Sequence, residues 1–277
     1  SLLLAAGLAV ENHKLASGAK PVRAPLPWSA LEMGESRIPI VVSDMGVGLA
    51  QDIGHEDLSL REYINHNYLV RAKPGSRALG DLARVLCLRE LTSQADAEIA
   101  ARIVRLDPVL SERAIVRSAR NMSMEDFTAG STILIGSYRA CHWVELFQNE
   151  LNFNVEYDEQ RAVHFCRNRN PRPGEQALYR PTGPTGTSGE GYAVLALIPN
   201  HNGQGNVLLI TGTNMESTQA AGDFVTNRER CSQTLRSMAI NPQGPPRYFE
   251  VLLKVKTIAG SVDQSGVLAY RTAPYGP

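Results

Sequence analysis

The chain has no surplus of charge of either sign: Lys+Arg and Asp+Glu each number 28 in 277 residues, so the formal net charge at pH 7 is zero. Without a basic surplus there is no long-range pull toward nucleic acid or an anionic membrane. No Lys/Arg-rich run is present either, so nucleic-acid binding by this chain is not expected. Cysteine is scarce. Cys87, Cys141, Cys166 and Cys231 are the only four, widely spaced and with no C-x-x-C pair. So few cysteines in so long a chain argue against a disulfide framework. Two readings stay open: buried free thiols that pack as small hydrophobes, or one bridge in an oxidising compartment.

Motifs are missing as well. G-x-S-x-G is absent, so the nucleophile elbow of an α/β-hydrolase is not encoded. Ser188 sits among glycines at the wrong spacing, and Ser137 follows Gly136 but has Arg139 where the closing glycine belongs. A variant Ser–His pair using His142 or His201 is left open. G-x-G-x-x-G and G-x-x-x-x-G-K-[ST] are both lacking, and Gly46-Val-Gly48 has neither a third glycine nor a following helix pattern. H-E-x-x-H and the EF-hand loop are missing. His55-Glu-Asp57 with His66, and His164 with Cys166, do not have zinc-ligand spacing. No cofactor or metal is expected.

What is present is an ordinary globular composition, 43% hydrophobic and 20% charged. That suits one large domain or two small lobes. Residues 1–10, SLLLAAGLAV, carry no charge. They are too short for the about 20 residues a spanning helix takes, and no basic segment precedes them. They read as the trailing end of a membrane anchor, or as a cloning remnant or short terminal helix. Pro21, Pro25 and Pro27 mark a linker up to residue 27. Residues 28–277 form the globular part.

There, Ile38-Pro-Ile-Val-Val42 reads as a buried strand that leaves into Ser43 and Asp44. Residues 78–104 carry the longest helical pattern, with Leu79, Leu82, Leu86, Leu91, Ile99 and Ile103 as its inner face and a break near Ser93. A short strand at 114–117 follows, then a strand at 131–135, a Gly136 turn, and an amphipathic helix over 141–151 with Trp143, Leu146 and Phe147 inward. Hairpin strands are expected at 153–157 and 162–166. The Pro- and Gly-rich residues 168–191 are a lid, a flap or a disordered loop. Strands at 192–198 and 206–210 flank Asn202-Gly203, a hairpin signal. A Gly212 turn then leads to a helix from about Gln219, and an antiparallel pair over 248–258 and 266–271 ends the chain. This alternation predicts an α/β fold, a mixed, mostly parallel sheet flanked by helices, with two Rossmann-like lobes as one form of it.

Ligands of open α/β sheets sit outside the carboxyl ends of the strands, where helix N-termini offer free N–H groups. The strand ends here carry Ser43 and Asp44, Arg120 beyond the short strand, Ser137, Arg139 and His142 after the first glycine corner, and Thr213, Asn214, Glu216 and Thr218 after the second. These ten residues are the candidate site for a small ligand, anionic or hydroxylated. Helix capping alone is the competing explanation for the Ser, Thr and Asn residues.

Thr132-Ile-Leu-Ile-Gly-Ser-Tyr-Arg-Ala-Cys-His-Trp-Val-Glu-Leu-Phe147, Leu151-Asn-Phe-Asn-Val-Glu-Tyr-Asp158, Asn206-Val-Leu-Leu-Ile-Thr-Gly-Thr-Asn-Met-Glu-Ser-Thr-Gln-Ala-Ala-Gly-Asp-Phe224 and Phe249-Glu-Val-Leu-Leu-Lys254 resemble the extracytoplasmic α/β domain of bacterial membrane-anchored regulators with an OmpR-type winged helix. The resemblance spans about residues 28–271 and includes no catalytic motif. It implies a non-catalytic sensor or solute-binding domain, similar to periplasmic binding proteins, extracytoplasmic and tied to a membrane through its N-terminus. The winged helix itself is absent from this chain. The alternative is a hydrolase of small esters or lactones with a non-standard Ser/His or metal site. A third reading is an interaction module that uses residues 171–191 as contact surface, and a homodimer is compatible with each.

Overall fold

A computed structural model describes residues 24–68, 77–128, 130–184 and 186–273. The apolar residues 1–10 and most of the linker lie outside them. Among the described residues, no helix is long and apolar enough to cross a membrane.

The strands are β1 (Ile38–Val42), β2 (Ala114–Ser118), β3 (Thr132–Ile135), β4 (Phe153–Asp158), β5 (Val163–Asn168), β6 (Leu178–Tyr179), β7 (Gly189–Pro199), β8 (Asn206–Gly212), β9 (Tyr248–Ile258) and β10 (Ser261–Ala273). Seven of them form one sheet in the order β10-β9-β7-β8-β3-β1-β2. β2, β1, β3 and β8 run parallel side by side, whereas β7, β9 and β10 join by antiparallel pairing. The sheet is thus mixed as expected, but parallel pairing is confined to one half of it. β4, β5 and β6 form a separate three-stranded antiparallel sheet.

The short apolar runs become central strands because both faces of the large sheet are covered. Along β1, Ile38, Ile40 and Val42 enter one core and Val41 the other; in β8, Leu208 and Ile210 alternate with Val207 and Leu209 in the same way. Side chains alternate across a strand, so a run apolar at every position is buried on both sides. The first face is covered by α1 (Trp28–Leu31), α5 (Gln94–Val104), α6 (Pro108–Arg113), α7 (Met215–Thr226) and α8 (Arg228–Ser237). The second is covered by α2 (Met45–Gly54), α3 (Leu60–Ile64), α4 (Arg77–Cys87) and a 3-10 run over His142–Glu150.

Four expectations are corrected. A helix does follow Ser43: α2 starts at Met45, capped by Asp44, whose carboxylate accepts from the Val47 N–H. Its glycines serve packing, since a Cβ on Gly46 would sit 2.4 Å from the Leu86 carbonyl oxygen of α4. The pattern over 78–104 does break near Ser93 into two helices, but the expected inner face is corrected, because only the second buries its stripe. Ile99 and Ile103 are fully buried, but Leu79 is 46% exposed and Leu82 48%. On α4 it is the small Ala83 and Cys87 that face inward, because the close approach of α2 admits nothing larger. The segment over 141–151 is 3-10, with the Val144 N–H bonded to the Cys141 carbonyl. Its apolar spacing identified the buried Trp143 and Phe147 but not the helix type. Finally, α7 starts at Met215, earlier than Gln219, because the Asn214 side chain caps it by accepting from Ser217 N–H.

Residues 170–175 of the Pro- and Gly-rich stretch are pinned to the sheet. Arg271 of β10 grips Glu175 through both Nη atoms (2.9 and 2.5 Å) and donates to the Asn170 carbonyl (2.8 Å). That hydrogen-bonded guanidinium holds the Glu175 carboxyl down at about 2. All four cysteines are free and buried.

Candidate functional site

The chain leaves β1 toward β2 on one side and leaves β3 toward β8 on the other. The carboxyl ends of β1 and β3 therefore flank a topological switch point, where connections diverge and a crevice opens. A cavity of about 110 Å³ lies there. Its walls come from Ser43 at the end of β1, Gly136 and Ser137 at the end of β3, and Gly212 and Thr213 at the end of β8. Both glycine corners open onto this one hollow.

Three helices of ten or more residues begin at its rim: α2 with Met45, α5 with Ser93 and Asp96, and α7 with Asn214 and Met215. Each brings the positive end of its dipole and first-turn N–H groups without intrahelical partners. Gly136 makes the corner possible. Its φ is +109°, and a Cβ there would lie 3.1 Å from Ser43 Cβ. At the second corner, a Cβ on Gly212 would lie 2.5 Å from Thr218 N, so α7 can sit this close to the sheet only over glycine.

The polar groups are tightly organised. Ser93 caps α5 by accepting from Asp96 N–H (3.0 Å), and Asp96 Oδ2 accepts from the Ser43 N–H (3.0 Å) and hydroxyl. Arg139, only 2% exposed, donates to Asp57 (3.1 Å) and Asp52 (3.0 Å) and lies 3.9 Å over the Tyr157 ring, leaving its Nε–H without a partner. His164, on β5 of the small sheet, also lines the cavity, and its Nε2 is buried and unpartnered. Burial and then the Arg139 cation lower its pKa to about 4, so the ring is neutral near pH 7.

Of the ten candidate residues, Ser43, Ser137, Arg139, Thr213, Asn214 and Thr218 line the cavity. Thr213 Oγ1 accepts from Tyr192 N–H (3.0 Å), and the Thr218 hydroxyl donates to the Asn214 carbonyl (3.1 Å). The other four point to other duties. Asp44 and Arg120 pair with each other beneath α2. Glu216 faces a neighbouring groove and accepts from Gly186 N–H (2.8 Å). His142 is fully buried, stacked on Tyr63 with ring centroids 4.3 Å apart, and neither ring nitrogen has a partner. The residues that reading strand ends missed are Ser93, Asp96, Asp52 and His164. Ser93-x-x-Asp96 was the available signal, since a capping pattern starts a helix and helix starts meet strand ends in this architecture.

Burial, then the Arg139 cation, lowers the His142 pKa from 6.5 to about 3. The folded state therefore binds this proton less readily than the unfolded chain. The stability that goes with the neutral ring is whole above about 6.5 and is lost as pH falls toward 3. His142→Phe, which keeps the stack on Tyr63, is expected to flatten part of the stability–pH slope across that window, to which His164 contributes in the same direction. Urea melts from pH 7 to 4 check this; an unchanged slope contradicts it.

Among the described residues, no group of three or more His, Cys, Asp or Glu side chains is placed to hold a metal ion. Comparison with family models, with curated proteins and with solved structures finds no match to the chain.

Proposed function

We propose that the chain is a non-catalytic, small-molecule-binding domain that serves as the extracytoplasmic sensor of a membrane-anchored regulator. The observation that carries the binding part is the shared cavity of the Gly136 and Gly212 corners at the ends of parallel strands. Buried polar atoms without partners cost free energy. Arg139 and His164 line the cavity, and Arg139 Nε–H and His164 Nε2 are two such atoms, which makes their side chains candidate partners for a polar ligand. The sensor part rests on the resemblance of residues 132–158 and 206–254 to such regulators and on the apolar residues 1–10. The corners repeat one strand–glycine–turn plan, which supports two Rossmann-like halves meeting at the cavity, one bringing β1 and β3, the other β8 and α7.

A thermal-shift screen with small polar metabolites tests the proposal. A ligand at about 100 times its Kd adds about 2.7 kcal/mol to stability, enough to shift the melting temperature by a few degrees. No shift with any compound counts against binding.

The hydrolase alternative draws on Ser137 and the neutral His164 sharing the cavity wall. It requires turnover of small esters that Ser137→Ala abolishes; inertness across a generic ester panel removes it.

A further inference from the structure

Resting on that reading of the cavity, we infer that its ligand is a small 2-amino carboxylate, with its ammonium on Asp96 and its carboxylate between Arg139 and the first turn of α7. Two walls of contrasting chemistry lead to this. Asp96 is 3% exposed and spends Oδ2 on the Ser43 N–H and hydroxyl, while Oδ1 takes no hydrogen bond. A buried carboxylate with a free oxygen on a cavity wall calls for a donor, and a charged donor is the strongest. The other wall offers donors. The Arg139 Nε–H is buried and unpartnered. The Asn214 side chain satisfies only the Ser217 N–H of α7, so the N–H groups of Met215 and Glu216 remain for an anionic group.

The charge balance decides between a plain anion and a zwitterion. Asp52 and Asp57 both bond to the single Arg139 guanidinium, and Asp96 adds a further carboxylate. That excess of acid disfavours a plain anion more than a zwitterion, whose ammonium offsets its own carboxylate, while a plain cation would leave the donors of the other wall unmet. Size sets the rest. A cavity of about 150 Å³ holds benzene, with its six heavy atoms, so about 110 Å³ suits about four or five, and L-alanine fits once the wall gives slightly. Met45 and Met215 on the wall are adaptable enough to close on a short apolar side chain.

Calorimetric titration with L-alanine, L-lactate, propionate and isopropylamine tests the inference. L-alanine is expected to bind, with propionate and isopropylamine each at least tenfold weaker. Asp96→Asn keeps an oxygen for Ser43 and turns an amide N–H2 to the cavity. It should weaken L-alanine at least tenfold and leave propionate no weaker than before. L-alanine binding no tighter than either single-charge probe overturns the proposal, as does an Asp96→Asn protein with unchanged L-alanine affinity. Should that variant fail to fold, the four-ligand series on the parent protein decides alone. A different compound class emerging from the metabolite screen and displaced by Gly136→Ala would sink the amino-acid assignment while leaving the cavity as the binding site; silence of the whole screen sinks both.

Discussion

Replacing Arg120 by alanine is expected to lower the unfolding free energy by about 3–5 kcal/mol, because it strands a buried carboxylate. Asp44 is 0% exposed. It accepts from Arg120 Nε and Nη2, each at 2.9 Å, from the Tyr63 hydroxyl at 3.0 Å and from Val47 N–H at 3.3 Å. Arg120 also donates to the Cys87 carbonyl (2.8 Å), so the pair ties β1, α2, α3 and α4 into one unit. The partnership shows on the tyrosine as well: burial, and next the Asp44 charge, drive the Tyr63 pKa far above its usual 10. If the loss comes from the unpaired charge, the double variant Asp44→Leu/Arg120→Met should recover much of it, since apolar replacement of a whole buried pair is often close to neutral. Urea denaturation of the single and double variants measures both. A loss below about 1 kcal/mol for Arg120→Ala would contradict the structural role assigned to the pair.

Gly136→Ala is expected to cost about 3 kcal/mol and to abolish the ligand response. Two penalties combine. A side chain at φ +109° costs about 1–3 kcal/mol in backbone strain. The new Cβ would also press against Ser43 Cβ at 3.1 Å, and overpacking of this kind costs about 1–3 kcal/mol. Ser43 is the partner of Asp96, so relief of the clash moves the cavity wall itself. The variant should melt several degrees lower and show no thermal shift with any compound that stabilises the parent. A variant as stable as the parent and still responsive would mean that the corner tolerates a side chain and that the cavity is not the binding site.

The strands were legible because a short β-branched run has few other ways to be buried. Ile38–Val42 and residues 206–210 read as strands, and both lie inside the sheet, β8 at its middle and β1 next to the edge strand β2. The two glycine corners were legible for a related reason: a strand, a glycine and then capping residues leave the chain little choice but a sharp turn into a helix. Helix α2 was hidden because Gly46 and Gly48 lower helix propensity, and the close contact that demands them is tertiary. The exposed leucines of α4 show the same limit. Periodicity locates a stripe but not what lies opposite it. At the site, Ser43, Ser137, Thr213 and Asn214 could be found by reading strand ends. Asp96 and His164 could not, because α5 and the small sheet reach the cavity only through packing. Asp44 and Arg120 were found for the right position and the wrong duty: both stand at strand ends, yet each is consumed by the other.

The most direct test is a two-dimensional amide NMR titration with a compound selected by thermal shift. The account predicts that the perturbed amides cluster at Ser43, Gly136, Ser137, Thr213 and Met215, at the ends of β1, β3 and β8, and that β10 and α8 stay silent. Perturbations centred elsewhere, on the exposed face of α4 or on the Arg102–Asp223 surface for example, would show that ligand binds outside the strand-end cavity.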